Sequence, residues 1–126
     1  MKTSYLFIST AVLEFITGLA FVFLPSSTVE FLLGLPLSSQ TGAMICRIAG
    51  SALIALSLAC WLARNDAQSI AARGLITGVL LYNILAVVIL TCSAFAFQLT
   101  AVLLLAIIVH LVLTAFCVYA SRNTKL

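Results

Sequence analysis

The chain has 126 residues, 64% hydrophobic and only 7% charged, with a formal charge of +3. Soluble domains carry roughly 25% charged residues, so an ordinary soluble domain is excluded, and so sparse and scattered a positive charge argues against a nucleic-acid partner. Four apolar runs of membrane-crossing length fill the chain, at about 4–24, 42–63, 70–92 and 98–119, which leaves room for one integral membrane domain over 1–126.

The first run opens with Lys2 and "SYLFISTAVL", a start that a signal peptide also shows. Glu14 interrupts the apolar stretch, the stretch is long, and no A-x-A site follows, so it is taken as a retained span. Glu14 falls about ten residues in, close to the bilayer midplane.

The connection "PSSTVEFLLGLPLSSQTG" is the long one. Ser27 and Glu30 have the S-x-x-E spacing of a capping box, and Gly34 followed by Pro36 marks a stop. A helix of one or two turns is expected there, at the membrane surface, as an anchor or as a lid.

The second run, "CRIAGSALIALSLACWLAR", carries Arg47 about five residues below its outer end. Ala43, Arg47, Ser51, Ala55 and Ala59 recur every four residues and predict a stripe for close helix packing. In the turn "RNDAQS", Asp66 or Ser69 is placed to cap the third run. That run holds a Gly74-x-x-x-Gly78 pair, a weak dimerisation signal, and then Tyr82 and Asn83. "SAFAF", at 93–97, reads as a short loop that makes the last two runs antiparallel neighbours. His110 sits halfway along the fourth run.

Lys2, Arg64, Arg73, Arg122 and Lys125 flank one side of the spans, while 25–41 and 93–97 hold no Lys or Arg. The positive-inside rule then places both termini in the cytoplasm, with Tyr5, Trp61 and Tyr119 at that interface. The expected fold is all-α: an antiparallel four-helix transmembrane bundle with a short interfacial helix between the first two spans.

Each span thus carries one strongly polar residue at depth: Glu14, Arg47, Asn83 and His110, with Tyr82 at the edge. A charge there costs roughly 3 kcal/mol on insertion scales, so the four are expected to face one another. The expected arrangement is a Glu14–Arg47 salt bridge, with Asn83 and His110 adding hydrogen bonds. Such a cluster is either structural glue or a ligand or proton site.

The cysteines, at 46, 60, 92 and 117, form no C-x-x-C and read as small apolar residues, Cys92 coming closest to accessibility. His110 has no ligand-spaced Cys, Asp or Glu on its helix, so no metal site is expected. No cofactor is expected either, since no Gly-rich phosphate loop is present.

Two families enter by resemblance. "LEFITG", with Glu14 in a chain of four helices, looks like the small multidrug resistance transporters. In that family a first-helix glutamate exchanges protons for cationic aromatic drugs. The chain departs from that pattern in its long first connection, its few aromatics in the middle spans, and Arg47.

The order "TGLAFVFLP", "LLGLPLSS", "CRIAGSALIALSLACWLAR", "ARGLITGVLLYN", over about 17–83, resembles small uncharacterised bacterial membrane proteins, DoxX-like in layout. That resemblance implies an up-down four-helix bundle in which Arg47, Tyr82 and Asn83 correspond to recurring positions, without an activity.

The leading functional expectation is a non-enzymatic, multi-pass protein of the bacterial inner membrane, accessory or small-ligand-binding. Its partners would be the bilayer and a membrane protein or second copy. The alternative is a proton-coupled small-molecule transporter using Glu14; a thiol or quinone oxidoreductase ranks last.

Overall fold

The computed structural model describes residues 2–66 and 68–123; Lys125, counted in the charge bias, lies outside them. Five helices follow in order: α1 (Lys2–Phe23), α2 (Pro25–Leu33), α3 (Gln40–Ala63), α4 (Ile70–Ala96) and α5 (Ala101–Asn123). No strand occurs among the described residues. Within α1, α3, α4 and α5 lie four stretches long and apolar enough to cross a membrane: Thr3–Phe23, Gln40–Ala63, Ile70–Ala96 and Ala101–Arg122.

Local chemistry sets the helix ends. Ser39 accepts from the Gly42 N–H at 3.0 Å and starts α3; of the two candidates for α4, Ser69 is the cap, accepting from Ala72 at 3.1 Å. Thr100 Oγ1 accepts from the Leu103 N–H at 3.0 Å at the head of α5. These bonds satisfy N–H groups that a helix leaves without internal partners.

Two expectations about the connections are corrected. The capping box at Ser27 does not form: α2 starts three residues earlier, with Pro25 in its first turn and Leu24, in place of Ser27, as an N-cap without a side-chain bond. Proline lacks the N–H that the first turn would leave unpaired and has its φ already set for helix, which outweighs the Ser27–Glu30 spacing. The helix does stop at Gly34, whose φ of 73° and ψ of 9° are left-handed and whose N–H bonds Glu30 O at 2.8 Å.

The second correction concerns "SAFAF", which is not a loop. Helix α4 runs on to Ala96, and the turn is Phe97–Thr100. Nothing in Ser93, Ala94, Phe95 or Ala96 breaks a helix, and Ser93 Oγ bonds back to Ile89 O at 2.9 Å.

The backbones of α1 and α3 approach most closely, and those of α4 and α5 come next. Ser57 Oγ donates to Ala11 O at 2.7 Å, and Arg47 Nε donates to Val22 O at 3.2 Å. Between these contacts Gly18 meets Gly50, where a Cβ on Gly50 would lie 2.7 Å from Gly18 O. The predicted stripe at 43, 47, 51, 55 and 59 is not the contact face, because Arg47, Ser51 and Ala55 are exposed. Gly50, Ser57 and Cys60 are the buried positions of α3. On α1, Ala11, Glu14 and Gly18 do share a buried face. Gly74 and Gly78 have no neighbour within 4 Å of an added Cβ.

The main apolar cluster is gathered at one end of the bundle, while Leu103, fully buried near the start of α5, lies outside it. The cluster joins Leu6, Phe7 and Ala11 of α1 and Cys60 of α3 to Ala72, Ile76 and Val79 of α4 and Leu113, Cys117 and Ala120 of α5. We call this the terminal half, since α1 starts and α5 ends there.

The opposite half carries α2, tied down by polar bonds. Thr28 Oγ1 donates to Ala20 O at 3.0 Å, Thr100 Oγ1 to Leu32 O at 2.8 Å and Gln98 Nε2 to Gly34 O at 3.3 Å. A Cβ at Gly34 would meet Gln98 Nε2 and displace that side chain from its bond to Gly34 O. Outward-facing positions are largely apolar, Ile48, Leu62, Ile89 and Leu105 among them, with Thr17, Arg47, Ser51 and Thr77 as polar exceptions.

Candidate functional site: a polar cluster at the boundary of the core

Glu14 is 2% exposed and Asn83 fully buried, at the point where the packed terminal half gives way to the α2 half. The Tyr82 hydroxyl donates to Glu14 Oε2 at 3.2 Å, joining α4 to α1. Asn83 Oδ1 lies 2.8 Å from His110 Nδ1, joining α4 to α5, while Asn83 Nδ2 donates to Val79 O within its own helix at 2.8 Å. The rings of Tyr82 and His110 meet edge-on, centroids 5.7 Å apart, so the two pairs form one cluster. Asn83 Oδ1 can only accept, and Nδ2 is committed to Val79 O, so His110 donates from Nδ1–H in this contact.

The expected Glu14–Arg47 salt bridge does not form. Arg47 is exposed, and its side-chain bond goes to Val22 O, near the C-terminal end of α1. Two effects account for this. Helical side chains lean toward the N-terminus of their own helix. Arg47 therefore leans toward Gln40 and Glu14 toward Lys2, in opposite directions along the α1–α3 contact. The last carbonyls of α1 also lack intrahelical donors and carry the negative end of the helix dipole, so a guanidinium is favoured there.

The partner that Glu14 does have, Tyr82, was placed by sequence only at the cluster's edge. Its signal was available, since a tyrosine hydroxyl in an apolar helix needs a polar acceptor.

Thr10, one turn before Glu14 on the same helix, is fully buried, and its Oγ1 has no hydrogen-bond partner. Ser51, Thr77, Ser93 and Thr114 each bond back to the carbonyl four residues earlier, a local solution that Thr10 does not use. Glu14 receives one side-chain bond, although its two oxygens offer about four lone-pair sites. The cluster thus has a closed part, Asn83 with His110, and a part with hydrogen-bonding capacity to spare, Glu14 with Thr10.

All four cysteines are free thiols; Cys60 and Cys117 are buried, Cys46 is half-buried and Cys92 is exposed. Among the described residues no three His, Cys, Asp or Glu side chains gather as a metal site would require. A separate open groove of about 610 Å³ lies between α1 and α3, lined by Val12, Phe15, Ile16, Leu58 and Trp61 among others, and by no member of the cluster.

Comparison with protein-family models, with curated proteins and with solved structures gives no match.

Proposed function

We propose that the chain is a non-enzymatic multi-pass membrane protein, an antiparallel four-helix bundle in the inner membrane with both termini cytoplasmic, whose central cluster binds a small polar ligand or supports an accessory role. The observation that carries the ligand reading is the underused acceptor capacity of Glu14 beside the unpaired Thr10 hydroxyl, both buried. A buried polar group without a partner is costly, and a ligand that donates to Glu14 and engages Thr10 would remove that cost.

The membrane placement is supported by four long apolar helices and a largely apolar outer surface. The antiparallel arrangement is supported by the contacts of Ala11 with Ser57, Gly18 with Gly50 and Val22 with Arg47, which advance along α1 as they retreat along α3. The orientation rests on basic residues: five flank one side of the spans and none lie in 25–41 or 93–97. The DoxX-like layout agrees with this architecture and adds no activity.

One observation favours the second reading, a proton-coupled transporter using Glu14: the carboxyl group is held by a neutral hydroxyl and not by Arg47. A cation at bonding distance would hold the group ionised, and that objection does not apply here. Such a transporter would need a second copy or a membrane partner to enclose a path.

The two readings separate in reconstituted vesicles carrying an internal pH dye. Proton entry under an imposed potential that is lost in Glu14→Gln supports the transporter. No proton entry, together with a stable membrane partner retained through mild-detergent purification, supports the accessory role. Unchanged proton entry in Glu14→Gln removes Glu14 from any transport scheme.

A further inference from the structure

The groove between α1 and α3 has a polarity of its own. Its wall is apolar, formed by Val12, Phe15, Ile16 and Leu58, and the one hydroxyl that lines it, that of Ser57, is already committed to Ala11 O. From Ile54 to Trp61 it follows α3 for about two turns, about 10 Å at about 1.5 Å per residue. At the terminal end it finishes on Trp61, and the Arg64 guanidinium lies over that ring, 4.2 Å from the centroid.

Arg64 bonds the Trp61 carbonyl through Nη1. Its guanidinium has five N–H donors in all, and no carboxylate pairs with it among the described residues. Stacking on Trp61 fixes the cation at the groove's mouth. The site is therefore apolar along its length and cationic at one end, the complement of an anionic amphiphile. A helix from a partner would cover the apolar wall and leave the unpaired guanidinium unexplained.

We propose that this groove seats one acyl chain of an anionic phospholipid from the leaflet on the terminal side, with the lipid phosphate on Arg64. The proposal rests on the membrane reading above but not on the role of the polar cluster. Trp61 supplies the interfacial ring at headgroup level, and Arg64 supplies a cation already oriented for phosphate oxygens. The groove holds the chain against α1 and α3, so the lipid would bridge the two helices that approach most closely.

The test uses the full chain purified in detergent and native mass spectrometry, titrated with phosphatidylglycerol or phosphatidylcholine of identical chains. A chain that stays in solution without detergent refutes the membrane reading before any lipid is added. The wild type should retain one phosphatidylglycerol about fivefold more tightly than phosphatidylcholine, the ratio given by about 1 kcal/mol per basic residue at an anionic surface.

Arg64→Gln should equalise the two lipids, Leu58→Trp should weaken both by filling the groove, and Arg73→Gln should leave the preference intact. Glycerol 3-phosphate, which has the phosphate and no chains, should not displace the lipid. Equal retention of both lipids by the wild type overturns the proposal. So does a preference that survives Arg64→Gln, or one that disappears equally in Arg73→Gln.

Discussion

The two halves of the bundle are held together differently. In the terminal half, side chains from all four long helices interlock: Phe7, Leu6, Ile76, Cys60 and Cys117 are shut away from the surface. In the α2 half fewer apolar side chains are shut away, Leu103 and Pro25 among them, and backbone approaches and polar latches join the helices. Gly18 lies against Gly50, Arg47 reaches Val22 O, and Thr100 and Gln98 hold the α2 segment. The polar cluster sits where one regime meets the other. The contrast shows that a uniformly apolar sequence need not give a uniformly packed bundle. Close packing followed the positions where small and large residues complement each other across helices, and hydrophobicity alone did not decide it.

The largest effect should come from the interlocked half. Phe7→Ala should destabilise by about 3–5 kcal/mol, the range for emptying a buried aromatic site, in reversible unfolding in mixed micelles. Leu105→Ala, an exposed position in the α2 half, should change stability by no more than about 0.5 kcal/mol. Equal losses at the two positions would erase the distinction between the halves.

Next in size is the glycine crossing. Gly50→Ala places a methyl 2.7 Å from Gly18 O and should cost about 1–3 kcal/mol as an overpacking defect. Gly74→Ala, with nothing within 4 Å of the new Cβ, should instead raise stability by up to about 1 kcal/mol through helix propensity. The same substitution on two helices thus carries opposite signs, and thermal melts of the two variants in one detergent read them directly.

The polar bonds contribute least. Thr100→Val removes both the α5 cap and the bond to Leu32 O; a loss of about 1 kcal/mol is expected, with faster amide exchange in α2 than in α3. Arg47→Met should cost about 0.3–1 kcal/mol, the worth of a cation at a helix C-terminus. A loss near 4 kcal/mol would instead mean that a buried charge had been left unpaired.

Much of the architecture was legible from sequence, for identifiable reasons. Length and apolarity mark the four long helices, because few other signals compete in a chain with so few charges. Gly34 and Ser69 announce a stop and a start through chemistry that depends only on near neighbours. The face of Ala11, Glu14 and Gly18 follows from helical spacing.

What escaped depended on rivalry between local signals or on the register between helices. Pro25 and Ser27 both signal a helix start, and spacing alone does not say which prevails. "SAFAF" looks loop-like only because a turn must come soon after it, and the breaker lies further on, near Gln98 and Thr100.

Arg47 was assigned to Glu14 because both are charged and deep. The register that sets Gly18 on Gly50 and Ala11 on Ser57 brings Glu14 level with Leu53 and Ile54, about seven residues from Arg47. No sequence pattern states that register. It is fixed by the small residues that let two backbones approach.

The central claim is that Glu14 belongs to Tyr82 and not to Arg47. Two double-mutant cycles, measured by reversible unfolding in one mixed-micelle system, test it directly: Glu14→Gln with Tyr82→Phe, and Glu14→Gln with Arg47→Met. The first should give a coupling of about 0.6–1.7 kcal/mol, the span found for hydrogen bonds between membrane helices. The second should be additive within about 0.3–0.5 kcal/mol, as expected of sites that share no partner. A coupling of several kcal/mol between positions 14 and 47, with none between 14 and 82, would restore the salt bridge and contradict the account.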